Sequence, residues 1–333
     1  ITLNGTATLA PNWVTYVGSM TINSGFVGGN ITVTGTVVNI PGAAGGIYQT
    51  GAITARSGTN ISFTSNNDID QNGAISLVAN GSNAVANISY DTRTGNSTSR
   101  VSAAAVTVAA VTSNAAINYL VRTNGAIIAV PAITVPGYIL LDNTCVGCAT
   151  RATPTTAAVN GAAITITGAL SSGSLAGTTG VTINSVANGT GIGFTQGANA
   201  ITAATGGVTI TTNSQAGAGY SSSGNITATG QAITITGTTT TETGIYTTGA
   251  INGGAVTLSS TQSTAAATLR TIYITGLITA NSLTVNASGG ASSTNVTLGA
   301  ITINAGGSNI SVTANNAAAG ANTGIDQTGA ITN

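Results

Sequence analysis

The sequence Cys145-Val-Gly-Cys148 is the part of this chain that most resembles a metal-binding or redox site, because of the spacing of its two cysteines. A zinc site needs four ligands, and the sequence holds no other cysteine and no histidine. A redox-active pair begins a helix within a βαβ unit, and the surrounding residues do not indicate one. The spacing therefore predicts a structural disulfide, within a loop or to another chain. Free thiols and a metal shared between subunits are the alternatives.

Carboxylates are the second candidates, because paired acids can bind calcium or perform acid–base catalysis. The acidic residues are Asp68, Asp70, Asp91, Asp142, Glu242 and Asp326. Asp68 and Asp70 are spaced to lie on one face of a strand, but other copies of an internal repeat place tyrosine where Asp70 stands. That substitution favours an exposed structural position. Without histidine, general acid–base catalysis has little support, so we predict no enzyme, no catalytic residue, no metal site and no cofactor.

Asn-x-Ser/Thr triplets are the third feature, since such triplets accept N-linked glycans. They begin at Asn4, Asn30, Asn60, Asn80, Asn87, Asn96, Asn188, Asn225, Asn286, Asn295 and Asn309. Glycans there would supply solubility that charge does not. The alternative is that a chain rich in Asn, Ser and Thr produces these triplets through its composition alone.

Charge is scarce: six acidic and six basic residues make up 4% of the 333 residues, against about 25% in an ordinary globular protein. The polar surface must therefore consist of Thr, Ser, Asn and Gln. Scattered arginines form no basic patch, so no nucleic-acid partner is predicted. A spanning helix needs about 20 continuous apolar residues. The best stretch, Ala126 to Leu141, contains two prolines, so no membrane span is predicted.

One eight-residue phrase recurs along the chain. It reads Ile272-Tyr-Ile-Thr-Gly-Leu-Ile-Thr279 in one copy, and related copies occupy residues 47–54, 69–76, 245–252 and 325–332. Between the copies lie clusters of Gly, Asn and Ser, which suit corners because they tolerate positive φ. In the copy from Ile272 we expect one strand to Thr279, followed by strands at 283–287 and 295–298.

Triplets of the form apolar-Thr-apolar set the longer period. They begin at Val181, Val208, Ile233, Val256 and Leu283. A period in the twenties is typical of solenoids, and the local alternation of apolar and hydroxyl residues indicates strands. We predict an all-β fold, a parallel β-helix (β-solenoid) with roughly 25 residues per turn, formed by residues 1–333 as one domain.

Within this solenoid, residues 1–30 are expected to be irregular first turns or a cap. Residues 136–158 are expected to be a loop insertion that carries both cysteines. Four apolar residues share one phase of the repeat and should form an inward-facing core ladder, and these are Ile210, Ile235, Leu258 and Val285.

The phrases Gly29–Gly35 (GNITVTG), Gly299–Gly306 (GAITINAG) and Ser308–Asn315 (SNISVTAN) resemble the repeat regions of large bacterial surface exoproteins. The nearest class is the filamentous-haemagglutinin-like and autotransporter-type adhesins. This resemblance implies a secreted right-handed β-solenoid, located outside the cell or on its surface, that acts as a fibre or an adhesin. It transfers no binding residues.

We therefore predict a structural subunit of an extracellular fibre, filament or sheath. A solenoid exposes strand edges on its end turns unless a cap covers them, and the sequence near residue 333 resembles an interior turn. The expected partner is the protein itself, through head-to-tail pairing of end turns or continuation of a longer chain. The alternative is an adhesin stalk or surface that binds glycans, or ice, through exposed Thr, Asn and Tyr.

Overall fold

The structure is a computed structural model of the chain. It describes residues 1–7, 13–21, 29–37, 45–66, 68–78, 85–93, 106–108, 111–112, 117–123, 127–144, 162–173, 180–187, 190–263, 269–289, 294–304, 306, 309–315 and 323–333. These residues form 36 β-strands and no helix. Consecutive strands contribute in rotation to three series, A, B and C, so that every third strand belongs to the same series.

The strands are numbered in chain order. Series A comprises β1 Thr2–Ala7, β4 Gly29–Val37, β7 Thr59–Ser65, β10 Ala86–Asp91, β13 Ile117–Arg122, β16 Tyr138–Asp142, β19 Gly180–Ala187, β22 Val208–Ser214, β25 Ile233–Thr239, β28 Ala255–Gln262, β31 Ser282–Gly289 and β34 Asn309–Asn315. Series B comprises β2 Trp13–Val17, β5 Gly45–Gln49, β8 Ile69–Gln71, β11 Val106–Val108, β14 Ile128–Val130, β17 Ala162–Ile166, β20 Ile192–Gly197, β23 Tyr220–Ser222, β26 Ile245–Thr247, β29 Ile272–Ile274, β32 Thr294–Leu298 and β35 Thr323–Gln327. Series C comprises β3 Met20–Thr21, β6 Ile53–Arg56, β9 Ile75–Val78, β12 Val111–Thr112, β15 Ile133–Val135, β18 Leu170–Ser172, β21 Ile201–Ala203, β24 Ile226–Ala228, β27 Ile251–Gly253, β30 Ile278–Ala280, β33 Ile301–Ile303 and β36 Ile331–Thr332.

The chain divides into two compact units, unit 1 (Ile1–Ala157 and Ile166–Thr179) and unit 2 (Ala158–Thr165 and Gly180–Asn333). In each unit the strands of one series pair in parallel with the strands three places before and after them. One strand per series per turn, paired in parallel with the next turn, is the topology of a β-solenoid. The prediction of an all-β, parallel β-solenoid is confirmed.

The turn lengths follow the triplet spacing in unit 2. Val181 pairs with Val208, and the pairing continues through Ile233, Val256 and Leu283. The distance along the sequence from one triplet to the next is therefore the length of one turn. Turns in unit 1 vary more, since the step from Ala86 to its partner Ile117 is much longer than the step from Tyr119 to its partner Ile139. The shared register, rather than a constant length, keeps like residues stacked.

The interior consists of columns of apolar side chains that repeat from turn to turn. Ile210, Ile235, Leu258 and Val285 are successive register partners, and each side chain is 0% exposed. In unit 1 one column contains rings: Phe63 stacks on Tyr90 with their ring centroids 5.1 Å apart. The β-branched residues favour the strand because they pack well on a pleated surface.

One expectation about the strands was wrong. The phrase from Ile272 to Thr279 is two strands, β29 in series B and β30 in series C, separated by a corner at Gly276. The inside–outside alternation continues across this corner, so the sequence pattern does not reveal it. A methyl group on Gly276 would overlap the carbonyl of Gly249 in the preceding turn. Close stacking between turns, rather than positive φ, requires glycine at this corner.

Two regions predicted to be irregular contain regular strands. The described part of residues 1–30 forms a turn with three strands, in which Thr2 pairs with Thr32 and Met20 pairs with Ile53. The stretch expected to be a loop from residue 136 contains a strand, because β16 occupies Tyr138–Asp142 and pairs with β13. A continuous run of apolar residues directly after Gly137 explains this strand, and residues 145–158 lie outside the described part of the chain.

Candidate functional site

The outer face of series A in unit 2 is a regular array of uncharged polar side chains. Its six strands are seven or eight residues long, and three outward positions in each are in register through all six strands. Seventeen of these eighteen positions are Thr, Ser or Asn. The array comprises Thr182, Asn184, Val186, Thr209, Thr211, Asn213, Thr234, Thr236, Thr238, Thr257, Ser259, Thr261, Thr284, Asn286, Ser288, Ser311, Thr313 and Asn315.

The array presents hydrogen-bonding groups at repeated distances. Neighbouring strands in a sheet lie about 4.8 Å apart, and alternate residues along one strand lie about 6.6 Å apart. Threonine is stiff at χ1, so its hydroxyl and methyl groups keep defined directions. Thr261 Oγ1 and Ser288 Oγ of adjacent strands lie 3.3 Å apart. A grid of hydroxyl and amide groups without charge suits a ligand that itself repeats, such as a polysaccharide or ordered water.

The outer face of series B in unit 2 carries a stack of tyrosines. Tyr246 on β26 is the register partner of Tyr273 on β29, and their ring centroids are 5.2 Å apart with an interplanar angle of 16°. The guanidinium of Arg270 lies 4.8 Å from the ring centroid of Tyr273, within the range of a cation–π contact. The two rings, with Arg270 packed against one of them, therefore form an aromatic surface on the side of the solenoid.

A depression lies next to this stack. On the side away from Tyr273, the register partner of Tyr246 is Ser221, whose side chain is small. The space left has a volume of about 230 Å³ and opens to solvent. Its lining consists of Thr195, Gly197, Ser221, Ser222, Ser223, Tyr246 and Thr248. The side chains at this site are hydroxyls and one aromatic ring, and none of them is charged.

In unit 1 the same series carries a different arrangement. Tyr16 and Tyr48 are register partners whose rings meet edge to face, with centroids 5.8 Å apart. The next position in the column is Asp70, so tyrosine and aspartate do share one structural position. Burial raises the pKa of Asp70, and a hydrogen bond with Asn72 partly offsets this. Across the described residues no group of three or more His, Cys, Asp or Glu is placed to hold a metal.

Series A of unit 1 brings together charges that are far apart in the sequence. Asp91, Arg122 and Asp142 are successive register partners, and Arg93 forms an ion pair with Asp91 at 2.6 Å. Burial alone would raise the pKa of Asp91, but hydrogen bonds from Arg93 and the charges of Arg93 and Arg122 hold it below its usual value. Arg122 stands between the two carboxylates in this column, so the charges alternate and do not form an acidic groove.

The Asn-x-Ser/Thr triplets of unit 1 include a structural ladder on series A. Asn60 Nδ2 donates to Asn30 Oδ1 at 3.2 Å, and the Asn87 backbone N–H donates to Asn60 Oδ1 at 3.0 Å. Asn118 Nδ2 then donates to Asn87 Oδ1 at 3.1 Å. Three of the four residues each begin an Asn-Ile-Ser/Thr triplet, whereas Asn118 is not part of such a triplet. Three of the predicted glycan acceptors therefore hold adjacent turns together.

The remaining triplets differ in exposure. Asn295 is 0% exposed, and its Oδ1 accepts a hydrogen bond from Thr271 Oγ1 at 3.4 Å. Its amide is therefore inaccessible to a glycan in the folded chain, contrary to the expectation for that residue. Exposed side chains occur at Asn4, Asn225, Asn286 and Asn309. Asn80, Asn96 and Asn188 lie outside the described residues, as do Cys145 and Cys148, so the disulfide stays a prediction.

Comparisons of the chain with models of protein families, with curated proteins and with solved structures find no match. The portion of the chain that the structure describes holds no helix with the length and hydropathy needed to cross a bilayer.

Proposed function

We propose that this chain is a structural segment of an extracellular or cell-surface fibre in which solenoid turns stack edge to edge. The supporting observation is the exposure of apolar side chains in the last turn of unit 2. Ile310, Ile325 and Ile331 are 38%, 42% and 54% exposed. The register partners of these residues one turn earlier are at most 1% exposed, and they are Leu283, Val296 and Ile301.

A further solenoid turn would cover this apolar edge. Burial of apolar surface stabilises by about 25 cal/mol per Å², and the edge of a parallel sheet also offers N–H and C=O groups for pairing. The occupant is thus another turn of the same kind, from continuation of the polypeptide or from a second copy. Head-to-tail stacking of copies is heterologous and does not close on itself, so it produces a filament. The scarcity of charge favours such association, since little repulsion opposes it.

The test is electron microscopy and sedimentation of the purified chain over a series of concentrations. We expect filaments that lengthen with concentration, with fibre diffraction at ~4.8 Å along the axis from stacked strands. A single species of monomer mass at every concentration would contradict stacking of copies.

The array of unit 2 favours a second candidate function, a surface that binds glycans or ice. Thr257 lies within the array, and Thr257→Lys would place a long charged side chain among its hydroxyls. Thr279→Lys makes the same change on the outer face of series C, where each short strand presents one outward position. Retention on crystalline cellulose, on chitin and on ice is measured for both variants. Retention that Thr257→Lys alone removes supports the candidate, and no retention of the unaltered chain on any of the three contradicts it.

A further inference from the structure

The tyrosine stack of unit 2 ends at an open depression rather than continuing along the face. Tyr246 is 39% exposed, although Tyr273 lies against its ring at a centroid distance of 5.2 Å. The outward positions that precede Tyr246 in the column are Ser221 and Thr195. Because these side chains are short, they leave space beside Tyr246 on the side away from Tyr273.

The polar groups around this space are arranged in two sets. Ser222 belongs to the corner itself, where its Oγ donates to the Gly224 carbonyl at 3.1 Å and accepts from the Gly224 N–H at 3.0 Å. The backbone N–H groups of Ser223 and Thr248 also donate to neighbouring turns, at 2.8 and 3.1 Å. These bonds fix the shape of the walls. The side chains of Ser221, Ser223, Thr195 and Thr248 are half-buried or exposed, and their hydroxyls line the opening.

We propose that this depression binds one ring of a neutral glycan, with the ring packed against Tyr246. A sugar ring has an apolar face formed by C–H groups and an edge of hydroxyls. The aromatic ring offers an apolar platform for the first, and serine and threonine hydroxyls donate and accept for the second. The inference goes beyond both proposed functions, because it assigns a separate glycan site on series B that does not depend on the array of series A.

The size and charge of the depression narrow the ligand class. A volume of about 230 Å³ is below the ~300–1,000 Å³ typical of sites that enclose a drug-sized ligand. It therefore suits one ring, with the rest of an oligosaccharide lying along the outer face. None of the lining residues carries a charge, so nothing at the site compensates a carboxylate or a sulfate that loses its water. Neutral sugars are favoured over acidic ones.

The test uses the whole chain with cellohexaose, maltohexaose and chitohexaose as neutral probes and oligogalacturonate as an acidic probe. Binding is measured by saturation-transfer NMR and by titration. We expect at least one neutral probe to bind and the acidic probe to bind at least ten-fold more weakly. Tyr246→Ala should weaken the neutral probe at least ten-fold, while Tyr246→Phe should retain most of the affinity because the ring is kept.

Ser221→Tyr keeps the test independent of any effect of Tyr246→Ala on folding. Tyrosine already occupies this outward position in the next two turns, at Tyr246 and Tyr273. The new ring should extend the stack, fill the depression and abolish binding without lowering the midpoint of thermal unfolding. Tyr48→Ala is the matched control, since Tyr48 belongs to the tyrosine pair of unit 1. It should bind the probe as the unaltered chain does.

Three results would overturn the proposal: no neutral probe binds the unaltered chain, Ser221→Tyr binds as well as the unaltered chain, or the acidic probe binds equally. Thr257→Lys in the array should leave binding unchanged, which separates this site from the array itself. Titrations are done below the concentration at which filaments appear. A failure of sugar binding therefore leaves the filament proposal intact, and a failure to form filaments leaves the sugar site intact.

Discussion

Single polar side chains hold the corners of the solenoid. In three copies of the recurring phrase the third residue is glutamine, and its side-chain amide donates to the carbonyl of the glycine two residues later. The pairs are Gln49 with Gly51, Gln71 with Gly73, and Gln327 with Gly329. Where the third residue is Thr247, its hydroxyl accepts from the Gly249 N–H at 3.2 Å. The hydrogen bond between the polar third residue and the glycine two positions later therefore stabilises the corner. This structural role explains why the phrase recurs without any need for a ligand.

Tyr220→Phe tests the energy of one such buried group. Gln196 Nε2 donates to the carbonyls of Asn199 and Asn225 at 2.6 and 3.1 Å, while its Oε1 accepts from Tyr220 Oη at 2.5 Å. Removal of the tyrosine hydroxyl leaves a buried acceptor without this donor. We expect the free energy of unfolding to fall by about 1–3 kcal/mol, measured by denaturant titration. Tyr246→Phe removes an exposed hydroxyl and should change stability by less than about 0.5 kcal/mol. Equal losses would show that the buried bond is not the cause.

The Asp91 ion pair predicts a dependence of stability on acid. Its pKa in the folded chain lies below the ordinary value of 3.8, so the folded state binds the proton less readily than the unfolded state. The stabilisation is complete above about pH 3.8 and is lost as pH falls through the lower folded pKa. Asp91→Asn removes this titration. The difference in unfolding free energy between the two proteins should therefore shrink below pH 3.8 and also in high salt, which screens exposed charges. A constant difference across this range would contradict the assignment.

At the scale of elements, much of the solenoid was predictable from the sequence. The triplets at Val181 and Val208 gave both the strand and the length of the turn, since their register is continuous. The corner at Gly276 was not predictable, because the alternation of inward and outward residues crosses it unbroken. The ladder of Asp91, Arg122 and Asp142 was also missed. Its turns have irregular lengths, since the step from Asp91 to Arg122 is much longer than the step from Arg122 to Asp142.

Gly276→Ala tests whether close stacking of turns sets the corners. The new methyl group would meet the backbone carbonyl of Gly249, which cannot move without displacing its own turn. We expect a loss of about 1–3 kcal/mol or more in the free energy of unfolding, read from thermal and denaturant midpoints. Gly18→Ala is the control, since no atom lies within 4 Å of the added carbon. A similar loss in both variants would contradict the assignment to contact between turns, because a methyl group on Gly18 meets no neighbouring atom.

At the scale of the whole molecule, the sequence indicated the kinds of residue on the surface but not their arrangement. Exposed Thr, Asn and Tyr were expected. The array required strands of seven or eight residues in series A, whereas strands in series C of unit 2 have two or three. The depression depends on Ser221 and Tyr246 being neighbours across turns, although a whole turn of sequence separates them. Sites on a solenoid are set by register between turns, which local sequence patterns do not specify.

The exposed last turn of unit 2 allows assembly to be separated from folding. Ile325→Lys and Ile331→Lys place charge at side chains that are already 42% and 54% exposed. Surface changes of this kind typically alter stability by about 0.5 kcal/mol or less, so the fold should persist. A stacked turn, however, would have to bury the lysine charge, and the cost of burying an unpaired charge is high. We expect both variants to remain monomeric at concentrations where the unaltered chain forms filaments, as measured by sedimentation and electron microscopy.

Leu277→Lys is the matched control, because Leu277 is 43% exposed at a lateral corner of an interior turn, and filaments of this variant should form normally. If Leu277→Lys alone prevented filaments, the contact between copies would be lateral, and stacking at the last turn would be wrong.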